Sequence, residues 1–145
     1  MPRRPTVWAM PETVPVDEEL RPGVALWEAG RYVEAHEEFE HLWLVEVGPR
    51  RHFLRGLVHA AMGFHYLTVG DLISARSKLA SAANLLDGFP GDFLGLDVDG
   101  LRAGILASQA ALETGGHDAL MDLGRVTIPR LTQAAAMRDV RTTGT

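Results

Sequence analysis

The sequence has no cysteine and a single lysine, Lys78, in 145 residues. Without cysteine there is no disulfide framework, no thiolate metal site, no iron–sulfur cluster and no thiol nucleophile. Any metal would have to rest on histidine and carboxylate donors. Basic residues number 14 against 19 acidic ones, a formal charge of −5. That balance lacks the clustered Lys and Arg that a phosphate backbone requires, so no nucleic-acid partner is expected. Long apolar runs are missing as well. The opening MPRRPTVWAMPETVPV carries two arginines with no hydrophobic stretch behind them, so neither a signal peptide nor a membrane anchor is expected, and a cytoplasmic location follows by default.

What remains is ordinary for a globular chain, with 46% hydrophobic and 23% charged residues. The length suits one domain with a real core and is too short for two comfortable ones. Residues 1–16 hold four of the eight prolines and read as an extended arm, with Val7 and Trp8 as side chains that could dock. Residues 17–114 read as a helical-bundle domain, and 115–145 as a partly helical C-terminal extension.

Within the domain the apolar spacing predicts helices throughout. Asp17 caps a first helix to about Glu28, with Leu20, Val24 and Trp27 on its stripe. A second runs from Arg31 to Gly48-Pro49 with Tyr32, Ala35, Phe39, Leu42 and Trp43 inward. A third, about Arg50 to Val69, is apolar on nearly every side and should be central, with Gly56, Ala60 and Gly63 allowing close neighbours. Asp71 caps a fourth to Leu86, with Leu79, Ala82, Ala83 and Leu86 inward. After a Gly- and Asp-rich loop, Asp97 caps a fifth, about Val98 to Glu113, with Leu101, Ile105, Ala107 and Leu112 as apolar positions. Beyond Gly115-Gly116, short helices near 117–123 and 130–140 flank an extended RVTIPR. Gly30, Ala35 and Phe39 recur at the same spacing as Gly70, Ala75 and Leu79, the grammar of two stacked helix hairpins. The expected fold is therefore all-α, a compact bundle of about five helices built from antiparallel hairpins.

The second helix carries the chemistry. His36 and Glu40, one turn apart, lie beside the apolar centre at Phe39 and can touch the same object, while Glu37 and His41 form a second such pair on the wetter side. On the third helix His52, Arg55, His59 and Tyr66 share one side. Antiparallel packing would bring them to His36 and Glu40, which predicts a buried cluster of His36, Glu40, Arg55 and His59 with Arg55 gripping Glu40. Imidazole and carboxylate donors also suit a divalent metal ion on His36, Glu40 and His59, although Arg55 beside a divalent ion is costly. HEEFEH is not the HExxH of zinc proteases, because its second histidine comes one residue too late. Ser74, Ser77 and Ser81 lack a nucleophile's surroundings. His65 is expected among apolar neighbours and His117 in solvent.

With His36, Glu40 and Trp43 at His-x3-Glu-x2-Trp spacing, the chain resembles a bacterial and archaeal family, domain of unknown function 309. The likeness extends through AGRYVEAHEEFEHLW, RHFLRGLVHAAMGFHYLTVGD, SARSKLASAANLL and FLGLDVDGL, roughly residues 20 to 105. The resemblance implies a compact helical domain, a His, Glu and aromatic motif suspected of metal binding, and no established activity. Arg55 and His59 stand where the family pattern has amides. Two functions follow as expectations: a non-enzymatic interaction or scaffold protein, self-associating as a homo-oligomer, or a metal-binding protein or metal-dependent hydrolase centred on His36 and Glu40.

Overall fold

The computed structural model describes residues 14–114 and 128–132. Five α-helices fill them: α1 Arg21–Glu28, α2 Tyr32–Val45, α3 Pro49–Val69, α4 Leu72–Leu86 and α5 Val98–Thr114. No strand occurs among the described residues, so the fold is all-α, as the periodicity predicts. The readings at Val7, Trp8 and His117, and the short helix at 117–123, fall outside the described residues. The part of the 130–140 helix that is described, 130–132, is not helical.

Local chemistry sets the helix ends. Asp17 accepts the Glu19 N–H at 3.2 Å and opens a 3-10 turn, Glu18–Leu20, that leads into α1. Pro22 sits in the first turn of α1, where its missing N–H costs nothing. Asp71 caps α4 by accepting the Ser74 N–H at 3.2 Å, and Asp97 caps α5 by accepting the Gly100 N–H at 2.9 Å. Gly30 and Gly70 reverse the chain at φ of 80° and 82°, the left-handed region that favours glycine. Each is followed by an alanine and then an apolar residue with no exposure, Ala35 and Phe39 in α2, Ala75 and Leu79 in α4. The echo in the sequence is thus two copies of one hairpin device.

Consecutive helices pack on one another from α1 to α5, and α3 is the hub. Ten of its 21 residues are buried, from Phe53 to Leu67. A Cβ built on Gly56 would stand 2.7 Å from Leu86 Cδ2, and one on Gly63 would stand 2.7 Å from Leu79 Cδ2. The glycines therefore let α4 lie directly on α3. The side of α3 turned away from these contacts is wet, with Arg51, His52 and Arg55 exposed, so the helix is central without being apolar all round. No described helix is long and apolar enough to cross a membrane.

α4 and α5 are tied at both ends by arginines that bind orphan carbonyls. Arg102 on α5 donates to Leu86 O and Phe89 O at 2.8 and 2.9 Å, and Arg76 on α4 donates to Leu112 O at 2.9 Å. The loop between them is anchored by Phe89 and Phe93, each edge-on to Phe53 at 5.1 and 4.8 Å. Along α5 the buried row is Val98, Leu101, Ile105, Ser108 and Leu112. This corrects the expected inward position of Ala107, which is exposed, because the alternating three- and four-residue steps of the stripe pass through 108 rather than 107. His65 is only half-buried, tilted on Tyr66 at 5.5 Å between ring centroids, and is not a core residue.

Residues 128–132, assigned by sequence to the C-terminal extension, belong to the packed domain. Trp27 Nε1 donates to Pro129 O at 2.8 Å, Leu131 N donates to Glu28 at 2.6 Å, and Arg130 pairs with the same carboxylate at 2.5 Å. Asp97 N donates to Leu131 O at 2.9 Å, and the Leu131 side chain has no exposure. This short segment clasps the end of α1 to the start of α5. A second tie is Arg50, which reaches Asp17 at 3.0 Å and Glu19 at 2.6 Å. Its Nε lies 3.3 Å from Glu46 in an ion pair whose angle misses a hydrogen bond.

Candidate functional site

The seam between α2 and α3 holds the residues that the sequence singles out. α2 buries Ala35 and Phe39, and His36, Glu40 and Trp43 follow one position round, so they line a single shoulder of the helix. α3 turns Arg55, His59 and Tyr66 toward the same side. His36 Nε2 and Glu40 Oε1 stand 3.8 Å apart, with the side chains 22% and 41% exposed.

The arrangement is open where a buried cluster was expected. Arg55 is exposed and makes no ion pair among the described residues, so its grip on Glu40 is not formed. The guanidinium instead lies over the Trp43 ring at 5.9 Å, and Arg51 lies over the same ring at 4.8 Å. A cation gains from an aromatic face while keeping its hydration, whereas burying it beside Glu40 would cost desolvation on both ions. Glu37 and His41 are exposed on the outer side of α2, where with Glu40 and Leu44 they line a shallow depression of about 230 Å³.

His59 is half-buried between α2 and α4. His36 from α2, Arg55 from its own helix and Lys78 from α4 all lie close enough for their charges to act on it. Burial first, and then those three groups, holds its imidazole below the usual 6.5. The ring geometry agrees: Nδ1 is buried with no partner in the described structure, and an imidazolium would place an N–H there with nothing to accept it. Sequence reasoning missed Arg51 and Lys78, although Lys78 was legible as the sole lysine of the chain.

Because the folded value is depressed, the unfolded chain binds a proton that the folded chain refuses as the pH drops below 6.5. The contribution of His59 to stability is therefore complete above 6.5 and is lost as the pH falls through the folded value. His59→Gln is expected to have a shallower loss of melting temperature than the wild type between about pH 7 and pH 5. Parallel melting curves for the two proteins across that range would refute the shift.

Among the described residues no group of three or more His, Asp or Glu side chains is disposed to hold a metal ion. His36 and Glu40 form a two-donor pair, and the charges around His59 disfavour a divalent cation. Besides His59 Nδ1, the buried atoms His36 Nδ1 and Trp43 Nε1 on this seam also lack a protein partner.

No curated protein matches the chain significantly. Residues 20–77, from the end of the 3-10 turn into the first half of α4, match the family described as Domain of unknown function (DUF309). All six site residues named from the sequence lie inside that span, and Lys78 is the next residue after it.

Proposed function

We propose that the chain is a non-enzymatic interaction protein that self-associates through the C-terminal end of α2. The observation carrying this reading is a run of exposed aliphatic residues, Leu44, Val45 and Val47, with 62%, 80% and 80% exposure. Leaving three neighbouring aliphatic side chains in water forgoes the burial that drives association. Charge points to a second copy as the partner. Glu37 and Glu38 lie exposed on α2 on one flank of the patch, and Arg51 and His52 lie exposed on α3 on the other. Glu37, Glu38 and Arg51 make no ion pair among the described residues. A two-fold axis near Leu44 would set the acidic flank of each copy against the basic flank of the other, the self-complementarity that an isologous interface needs.

Sedimentation analysis tests the reading. The wild type is expected to form a dimer that dissociates on dilution and weakens in high salt. Leu44→Asp with Val45→Asp is expected to be a monomer with unchanged helicity, because neither side chain contributes to the core. A wild type monomeric at every concentration, or a dimer that survives the double substitution, would remove the proposal.

The second reading is a metal-binding protein or metal-dependent hydrolase on His36, Glu40 and His59. The His36–Glu40 pair at 3.8 Å favours it, and it requires His59 to swing toward that pair. Elemental analysis of protein purified without a His tag decides it: stoichiometric metal, lost in His36→Ala, would establish this reading.

A further inference from the structure

Most arginines of this fold have an acceptor. Arg31, Arg50, Arg76, Arg102 and Arg130 each pair with a carboxylate, and Arg21 donates to Val16 O at 3.4 Å. Arg51 and Arg55 differ: both are exposed, and neither makes a hydrogen bond or ion pair among the described residues. One side chain brings them together. They stand one turn apart on α3, and their guanidinium carbons lie 4.8 and 5.9 Å from the centroid of the half-buried Trp43 ring. The face of the ring attracts both cations, but an indole accepts no hydrogen bond from them, and two like charges gathered on one ring repel each other. α2 carries the opposite feature. Its Glu34 pairs with Arg31 and its Glu40 lies 3.8 Å from His36, whereas Glu37 and Glu38 are exposed and have no ion pair among the described residues.

We infer that Trp43 presents Arg51 and Arg55 as one anchor for carboxylates, and that the carboxylates it takes are Glu37 and Glu38 of a second copy of this chain. The inference rests on the self-association proposed above and adds Arg55 and Trp43 to that contact, as the residues that set which surfaces meet. An exposed ion pair ordinarily gains little, because two long side chains must be fixed to form it. Here the ring restrains both arginines before the partner arrives, which lowers that cost. The planar fork of a guanidinium then holds a carboxylate through two N–H bonds, which a lysine in its place could not do. The acidic pair and the basic pair do not meet within one chain. A two-fold contact brings each to its complement, and does so twice per dimer.

Charge reversal in trans tests the inference by sedimentation of the full chain at low salt. Arg51→Glu with Arg55→Glu sets acid against acid, and Glu37→Arg with Glu38→Arg sets base against base, so each variant alone should dimerise about a hundredfold more weakly than the wild type. An equimolar mixture of the two should form a heterodimer, because both contacts are restored with their signs exchanged. All four substituted positions are exposed, so circular dichroism should show unchanged helicity. The neutral variant Arg55→Gln should by itself weaken the wild-type dimer about tenfold through loss of a charge-assisted contact. Reversed variants that dimerise as the wild type does, a mixture that stays monomeric, or an Arg55→Gln dimer of undiminished affinity would each overturn the anchor. If Leu44→Asp with Val45→Asp still dissociates that dimer, self-association through α2 stands and the anchor alone fails. A wild type monomeric at every concentration removes both.

Discussion

Leu131→Ala is expected to lower the unfolding free energy by about 2–5 kcal/mol, the range for truncating a fully buried leucine. The effect is large for a residue in a five-residue segment because the segment is held at both backbone atoms of Leu131. Its N–H donates to Glu28 and its carbonyl accepts from Asp97. The side chain therefore cannot slide to fill the space that the smaller residue leaves. Pro129 and Arg130 complete the clasp through Trp27 and Glu28. Trp27 gives the measurement, since its indole N–H bonds Pro129 O at 2.8 Å and its fluorescence should report release of the segment. Urea unfolding followed by that signal should show an earlier midpoint. A shift below about 0.5 kcal/mol, the scatter of ordinary surface substitutions, would mean that residues 128–132 are not part of the core.

Gly63→Val is expected to cost about 2–3 kcal/mol by overpacking, more than the few tenths gained in helix propensity. A Cβ at this position would lie 2.7 Å from Leu79 Cδ2 and 3.2 Å from the Leu79 backbone nitrogen. The methyl can rotate away, but the nitrogen belongs to α4 and moves only if the two helices separate. Gly63→Ala meets the same atoms with less bulk and gains roughly 1 kcal/mol in propensity, so it should fall within about 1 kcal/mol of the wild type. The ordering wild type, Ala, Val in thermal melts is the decisive result. A valine variant as stable as the alanine one would show that α3 and α4 do not touch at Gly63.

Much of this was legible along the chain because it depends on neighbours in sequence. Helical periodicity, the caps at Asp17, Asp71 and Asp97, and the left-handed turns at Gly30 and Gly70 are decided within a few residues, and the sequence states them directly. The juxtaposition of His36 with Glu40 is equally local, being one turn of one helix. The small residues at 56 and 63 also announced a close neighbour, though not that α4 would be the helix lying there. The misread face on α5, Ala107 for Ser108, arose because alanine is apolar enough to fit either side of a stripe.

The amino-acid order by itself determined that this chain is a helical bundle, where its helices begin and end, and which two side chains of α2 stand together. Tertiary structure alone decided that Arg55 turns to Trp43 and water instead of Glu40, that the charge of Lys78, on another helix, acts on His59, and that residues 128–132 fold back onto Trp27 and Glu28. The physical reason is the same in each case. Helix formation is set by interactions three and four residues apart, whereas ion pairing and clasping depend on the desolvation and packing that appear only when distant segments meet.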